Sequence, residues 1–355
     1  MRSTAIFFVL ISILSCTQQQ ENISEKVDEP STIEKNNPSI PLTRIALGSC
    51  SHQDDDQSYW KHIAQQNPDL WIWLGDNIYG DSEDMGILKE KYTKLKTDSN
   101  YKAFEAVYPI IGIWDDHDFG VNDGGKDYPM KKASRDLMFD FLDVPNTHPA
   151  WQREGGHTAY TFGESDKKVK VILLDARYFR DSIGKVLVEP NKYQYAPNEE
   201  GDILGEEQWN WLEKELITSD AQVHLIGSGI QIIPEEHRFE KWANFPKARK
   251  RLFDIIAASG QENVILMSGD RHISEFSQLE IEGKEKPLYE FTSSGLTHTW
   301  GSIWKEENQH RVGDLTIAKS FGFIEIDWNS QPLSLTMKMF STENGEVLQE
   351  RKVVF

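Results

Sequence analysis

The stretch Leu70-Trp-Ile-Trp-Leu74, running straight into Gly75-Asp-Asn-Ile-Tyr-Gly-Asp81, decides how the rest of the chain is read. Five large apolar residues in a row, closed by a glycine and an acid, have the pattern of a short strand covered on both faces. Five other runs share that form: Arg44-Ile-Ala-Leu-Gly48, Pro109-Ile-Ile-Gly-Ile113, Val169-Lys-Val-Ile-Leu-Leu174, Val223-His-Leu-Ile226 and Val264-Ile-Leu-Met267. Between them, Leu204 to Leu216 has the spacing of an amphipathic helix. Pro246 to Ile256 reads as another, with its proline suited to the first turn. The last third changes character. Leu288–Thr292, Phe321–Trp328, Leu333–Phe340 and Val347–Val353 read as strands joined by turns such as Glu343-Asn-Gly345. The expectation is α/β order with an antiparallel finish, in one domain over residues 42–355.

In such folds, ligands bind beyond the carboxyl ends of the strands. The residues found there are Cys50, then Asp76 and Tyr79, then Asp115-Asp-His-Asp118, and finally Asp270 and His272 in Ser268-Gly-Asp-Arg-His272. Each alone is ordinary. A Gly-Asp after a strand is usually a turn. A single tyrosine is more often packed, and a single cysteine is more often a small buried hydrophobe. Gathered at one edge, so many carboxylates would repel one another unless multivalent cations balanced them. The anionic donors Cys50, Asp76 and Tyr79, with the His272 imidazole, suit a trivalent transition metal, and phenolate favours ferric iron. Asp76 as a bridge, with Asp116 and Asp270, forms an oxygen-only set suited to calcium or another hard cation. The run Gly227-Ser-Gly-Ile-Gln231 adds no histidine.

These motifs resemble the alkaline phosphatase D (PhoD-like) family of metallophosphatases, with a more distant similarity to purple acid phosphatases. The resemblance rests on Gly48-Ser-Cys50, Trp73 to Tyr79, Ile113 to Asp118 with Asn122, and Leu173-Leu-Asp-Ala-Arg-Tyr-Phe-Arg180. It continues through Leu204 to Trp209, Gln231, Trp242, Pro246 to Leu252 and Ser268 to His272. It implies a four-layer αββα sandwich of the metallo-dependent phosphatase type and a mixed centre of ferric iron and calcium. It also implies release of phosphate from phosphomonoesters, or cleavage of phosphodiesters, by attack of a metal-activated water. His117 is the candidate for contacting the phosphate or protonating the leaving oxygen, with Asp118 or Asp115 orienting it. Arg271 is placed to neutralise phosphate. Arg177, Gln231, His237, Trp242 and His298 are the further residues expected to meet substrate.

The N-terminal run Ala5 to Leu14 is too short to span a bilayer and reads as a signal segment over residues 1–16. Ile13-Leu14-Ser15-Cys16 resembles a bacterial lipobox, which makes Cys16 the lipidated residue and residues 17–41 a polar tether. The expected location is the bacterial cell envelope, lipid-anchored and facing the periplasm or the cell surface. Cys50 is then left without a disulfide partner, because the chain has only two cysteines. A net charge of -19 disfavours nucleic acid as anything but a hydrolytic substrate. Two non-enzymatic alternatives stand beside the hydrolase. One is a surface-tethered protein that binds phosphate-bearing ligands on the same fold. The other is an adhesion protein whose acidic loops hold structural calcium.

Overall fold

The computed structural model describes residues 38–190, 192–301 and 306–355. The expected signal segment, the lipidation site Cys16 and the tether as far as residue 37 lie outside them. The chain opens β1 (Arg44–Gly48), α1 (Trp60–Gln65), β2 (Leu70–Leu74), α2 (Met85–Thr97), α3 (Ser99–Glu105), β3 (Ile110–Ile113), α4 (Asp116–Phe119) and α5 (Lys131–Phe141). Then come β4 (Thr158–Phe162), β5 (Val169–Leu174), β6 (Lys185–Glu189), β7 (Lys192–Tyr195), α6 (Gly205–Ile217), β8 (Val223–Ser228), α7 (Pro246–Ala258) and β9 (Val264–Ser268). It closes with β10 (Ser274–Leu279), β11 (Leu288–Ser293), β12 (Ser320–Asp327), β13 (Ser334–Ser341) and β14 (Val347–Val354).

Two six-stranded sheets form the centre, ordered β14-β13-β12-β1-β2-β3 and β10-β11-β9-β8-β5-β4. The alternation of β2 shows why both faces are covered. Trp71 and Trp73 pack on Trp60 of α1, with ring centroids 4.9 and 5.4 Å apart. Leu74 points the other way, toward Gly227 of the opposite sheet. One apolar core therefore runs between the sheets and beneath α1, α2, α3 and α5. A second lies between the β8–β9 face and helices α6 and α7. The layers are helix, sheet, sheet, helix, as expected. The antiparallel finish has a consequence that strand patterns do not carry. β12 pairs antiparallel with β1, so the C-terminal strands complete the N-terminal sheet. Among the described residues, no helix is long and apolar enough to cross a membrane.

His224 on β8 is 1% exposed, and its Nε2 meets the Ser219 hydroxyl at 2.8 Å. Burial, aided by Lys170 and Lys284, lowers its pKa from 6.5 to about 4. The neutral ring favours the fold at pH 7. Below pH 6.5 the unfolded chain binds a proton that the folded chain refuses until about pH 4. Stability supplied by His224 is therefore full above pH 6.5 and is lost as pH falls to about 4, by roughly 3 kcal/mol. Urea midpoints at pH 7 and pH 4.5 should fall further apart in the parent than in His224→Gln. Equal spacing would refute this assignment.

Candidate metal centre

The loops after β1, β2, β3 and β9 meet at one end of the two sheets. Backbone bonds splice the first two: Cys50 N donates to Gly75 O at 3.4 Å, and Ser51 N donates to Asp76 O at 2.9 Å. Gly75 has φ +94°, and a Cβ there would strike Asp115, so only glycine lets the β2 and β3 loops come this close. Several candidate ligands are themselves strained. Cys50, Asp76, Asp270 and His272 all have left-handed backbones, with φ of 60, 49, 64 and 53°. A non-glycine residue costs of order 1–3 kcal/mol in such a conformation, and such strain clusters at functional sites.

Three groups of side chains bring their ligand atoms within 4.8 Å of one another: Cys50, Asp76 and His272; Asp76, Asp116 and His117; and Asp76, Asp115, Asp116 and Asp270. Asp76 belongs to all three. The Cys50 thiol lies 3.3 Å from Asp76 Oδ2, and the Tyr79 hydroxyl lies 3.1 Å from His272 Nε2. Tyr79 thus converges on the thiol-containing group, as the sequence suggests. Burial pushes Asp76 and Asp115 well above the carboxylate range, and their acidic neighbours add to this. Burial likewise raises Asp270 to about 7 and the Cys50 thiol to about 11. Burial is also the largest single influence on Asp116, but Arg177, His117 and the hydrogen bonds from the Asp123 backbone and Asp76 together outweigh it and hold that carboxyl down. Buried carboxyl oxygens of Asp115 (Oδ2) and Asp116 (Oδ1) have no hydrogen-bond partner among the described residues. Unpartnered buried acceptors are costly. A cluster of acids, a thiol, a phenol and an imidazole with such oxygens left over has the donor set that multivalent cations require.

His117 lines the cleft, and its Nδ1 lies 2.7 Å from Asp81 Oδ1. Burial opposes its charge, yet Asp76, Asp81 and Asp116 raise its pKa to about 11. The orienting carboxylate is therefore Asp81, correcting the expectation of Asp118 or Asp115. Asp118 is fully buried and turns inward, accepting from the Asp115 backbone at 2.7 Å and the Tyr92 hydroxyl at 3.2 Å. Asp115 is taken by Arg177. Asp81 is two residues past Tyr79, so its sequence position was visible. Its approach to His117 was not, because it depends on the β2 and β3 loops crossing.

Of the residues expected to meet substrate, several lie deeper. Arg177 is fully buried, with Nε 2.6 Å from Asp115 and Nη1 2.6 Å from Glu240. It supports the acidic cluster from below. Gln231 is also fully buried and donates to Glu275 and Thr292, each at 2.8 Å. Trp242 is a core residue whose indole donates to Ser228 at 3.0 Å. His237 is 5% exposed and does not line the cleft. His298 also stands outside the cleft wall, with Nε2 2.9 Å from the Tyr79 hydroxyl. Arg271 does reach the cleft. It pairs with both Glu306 oxygens at 2.7 and 2.8 Å and lies 4.0 Å over the Phe239 ring.

Asp175 was missed as a support. Its carboxylate accepts from Trp114 Nε1 at 2.9 Å, Gly156 N at 2.7 Å and Arg177 N at 2.9 Å, pinning the residue before the acidic loop. Gly229 explains the run that lacks a histidine. A Cβ at that position would collide with the Asp115 carboxylate, which occupies the space a larger side chain needs. The cleft above the cluster encloses about 320 Å³, and its wall includes Asp116, His117, Asp270, Arg271 and His272 together with Tyr193, Tyr195, Arg238, Phe239 and Trp300.

This fold and this ligand cluster define a protein of the metallophosphatase type. Residues 45–334 match the PhoD-like phosphatase family, and the chain belongs to it. It is 22% identical over 313 residues to alkaline phosphatase D of Bacillus subtilis (strain 168), covering 76% of this chain and 52% of that one. The chain thus spans about half the length of that relative. Among solved structures, PhoD superposes with a TM-score of 0.66 at 19% identity, covering 89% of this chain and 69% of that one. Purple acid phosphatase PPD1 from yellow lupin (Lupinus luteus) seeds gives 0.61 at 11% identity, covering 89% and 54%. GAP50, the anchor in the inner membrane complex of Plasmodium, gives 0.55 at 14% identity, covering 89% of each chain.

Proposed function

We propose that the protein is an exported, metal-dependent phosphoric ester hydrolase acting on phosphomonoesters, phosphodiesters or both. The observation that carries this reading is the convergence of Asp76 on three ligand groups, with unpartnered buried carboxylate oxygens beside it. Cys50, Asp76, Tyr79 and His272 would hold ferric iron. Asp76, Asp116 and Asp270 would hold calcium or another hard cation. When bound, the metals supply positive charge for the phosphoryl oxygens and acidify the water that attacks phosphorus. The protein's own groups do the rest. His117, fixed through Nδ1 by Asp81, presents its other ring nitrogen to the cleft as the proton donor to the leaving oxygen. Arg271, held by Glu306 and Phe239, places its cation against the phosphate. Export and lipid attachment through Cys16 place this chemistry in the bacterial envelope.

The test is hydrolysis of aryl phosphate mono- and diesters by the iron- and calcium-loaded protein, with metal analysis and a visible spectrum. Failure to cleave any of them would sink the reading. Asp81→Asn should lower turnover of an alkyl phosphate about 10–100-fold. It should barely change a nitrophenyl phosphate, whose leaving group needs no proton. Equal effects on both substrates would remove His117 from this role.

A second reading is a ligand-binding protein without turnover. It draws on the similarity to GAP50, the anchor in the inner membrane complex of Plasmodium. The donor set present here supports the hydrolase over it.

A further inference from the structure

The loop that follows β11 supplies none of the proposed ligands, yet it touches three of them. Gly295 N and Leu296 N donate to Ser49 O at 3.3 and 3.2 Å, and Thr297 N donates to Cys50 O at 3.3 Å. These bonds lock the loop against the turn that carries Cys50. The Ser294 hydroxyl lies 3.1 Å from the Cys50 thiol and accepts from His272 N at 2.7 Å. His298 completes the set, with Nε2 2.9 Å from the Tyr79 hydroxyl. Tyr79 is otherwise held by the loop after β1. Its backbone N–H donates to Gln53 Oε1 at 2.9 Å, and the His52 ring stacks on it at 5.1 Å.

The partners fix the direction of the bonds around His298. Thr297 Oγ1 accepts from His52 N at 2.9 Å. Its own hydrogen has two acceptors within reach, Cys50 O at 3.4 Å and His298 Nδ1 at 3.0 Å. An O–H bond of 3.4 Å is long, so the hydrogen goes to Nδ1. A neutral imidazole with its lone pair on Nδ1 carries its hydrogen on Nε2, and an imidazolium carries one there in any case. Nε2–H therefore donates to the Tyr79 oxygen. The phenol's own hydrogen is left for His272 Nε2, 3.1 Å away. The relay runs one way, from Thr297 through His298 and Tyr79 to His272. A phenolate bound to a cation gives up the last of these bonds and keeps the one from His298.

We propose that His298 is a positioning residue of the metal centre: its Nε2–H holds the Tyr79 oxygen toward His272 and draws charge from that oxygen when it is a metal-bound phenolate. His298 thus acts through Tyr79 and not on substrate, which replaces the substrate contact expected from the sequence. A phenolate that donates less leaves its metal more positive toward the phosphoryl oxygens. Thr297 sets the ring for this task by occupying Nδ1. The proposal rests on Tyr79 being an iron ligand, as the hydrolase reading has it.

The experiment follows the tyrosinate-to-iron absorption band of the full chain loaded with iron and calcium. A hydrogen bond to the phenolate stabilises the electrons that this band excites, so its loss lowers the transition energy. His298→Phe should move the band to longer wavelength and lower iron retention against a chelator about 10–100-fold. His298→Gln, whose amide offers an N–H at similar reach, should keep the band close to the parent's. Thr297→Val leaves the ring in place and frees its tautomer, so it should move the band the same way, by less. Where His298→Phe fails to fold or holds no iron, Thr297→Val decides. An unmoved band in the deciding variant would overturn the proposal and leave the hydrolase reading standing. An unmoved band with a raised KM for nitrophenyl phosphate would make His298 a substrate contact instead. A parent that binds iron with no tyrosinate band would remove Tyr79 from the centre and the proposal with it. Hydrolysis of nitrophenyl phosphate by that same sample then shows separately whether the hydrolase reading survives.

Discussion

Replacing Asp76 by asparagine is expected to lower phosphoester hydrolysis about a thousandfold or more, while the metal-free protein folds at least as stably as the parent. Asp76 is the one residue shared by all three ligand groups. The amide keeps the volume and removes the charge. Loss of a charge that would serve both proposed cations should remove several kcal/mol of transition-state stabilisation, and each 1.36 kcal/mol is about tenfold in rate. In the metal-free chain the sign reverses. Asp76 is fully buried, and its pKa is raised by burial, by Cys50 and by Asp116. Asparagine spares the fold that repulsion. The measurements are metal content, turnover and urea midpoint after chelation. Turnover within tenfold of the parent, with both metals retained, would remove Asp76 from the centre.

Arg177→Met should be the most damaging change that leaves every proposed ligand in place. The guanidinium is fully buried between Asp115, 2.6 Å from Nε, and Glu240, 2.6 Å from Nη1. Removing it leaves one buried carboxylate without a cation. The other, Glu240, keeps Arg180, at 2.8 Å, as its ion-pair partner among the described residues. Breaking a buried pair from one side costs about 3–5 kcal/mol. Lysine should rescue little, because a single ammonium cannot meet both carboxylates in the geometry of the fork. Metal loading should return part of the loss, since the proposed cations beside Asp115 and Asp116 would offset the missing charge. Urea unfolding of parent, Arg177→Met and Arg177→Lys, with and without metals, reads all of this. A loss below about 1 kcal/mol in the methionine variant would show that Arg177 is not the counter-charge of the cluster.

These two residues mark where the sequence could and could not be read. Asp76 was legible because its signal is local: an apolar run covered on both faces must be a strand, and the acid after its glycine stands at the strand's end. The same logic exposed Cys50, Asp116, Asp270 and His272, and the structure brings a ligand atom of each within 4.8 Å of one on Asp76, Cys50 and His272 in one group and Asp116 and Asp270 in another. Arg177 also follows a strand, and local pattern assigned it to the cleft. Its depth depends on Asp175 pinning its backbone and on two carboxylates arriving from loops 62 and 63 residues away. The partnership of Asp81 with His117 was hidden for the same reason, as was the collision that bars a side chain at Gly229. The isolated β6–β7 hairpin was not anticipated, because Val186-Leu-Val188 among lysines and glutamate has no core face to reveal it.

Strand identity and donor chemistry therefore belonged to the chain itself, since hydrophobic periodicity and side-chain type act over a few residues. The tertiary structure alone decided that the C-terminal meander closes the N-terminal sheet beside β1. It alone set which carboxylate faces which cation, and which polar residues lie beneath the cleft rather than in it. Those outcomes follow from close approach between segments far apart in sequence, where a few ångströms separate a substrate contact from a buried counter-charge.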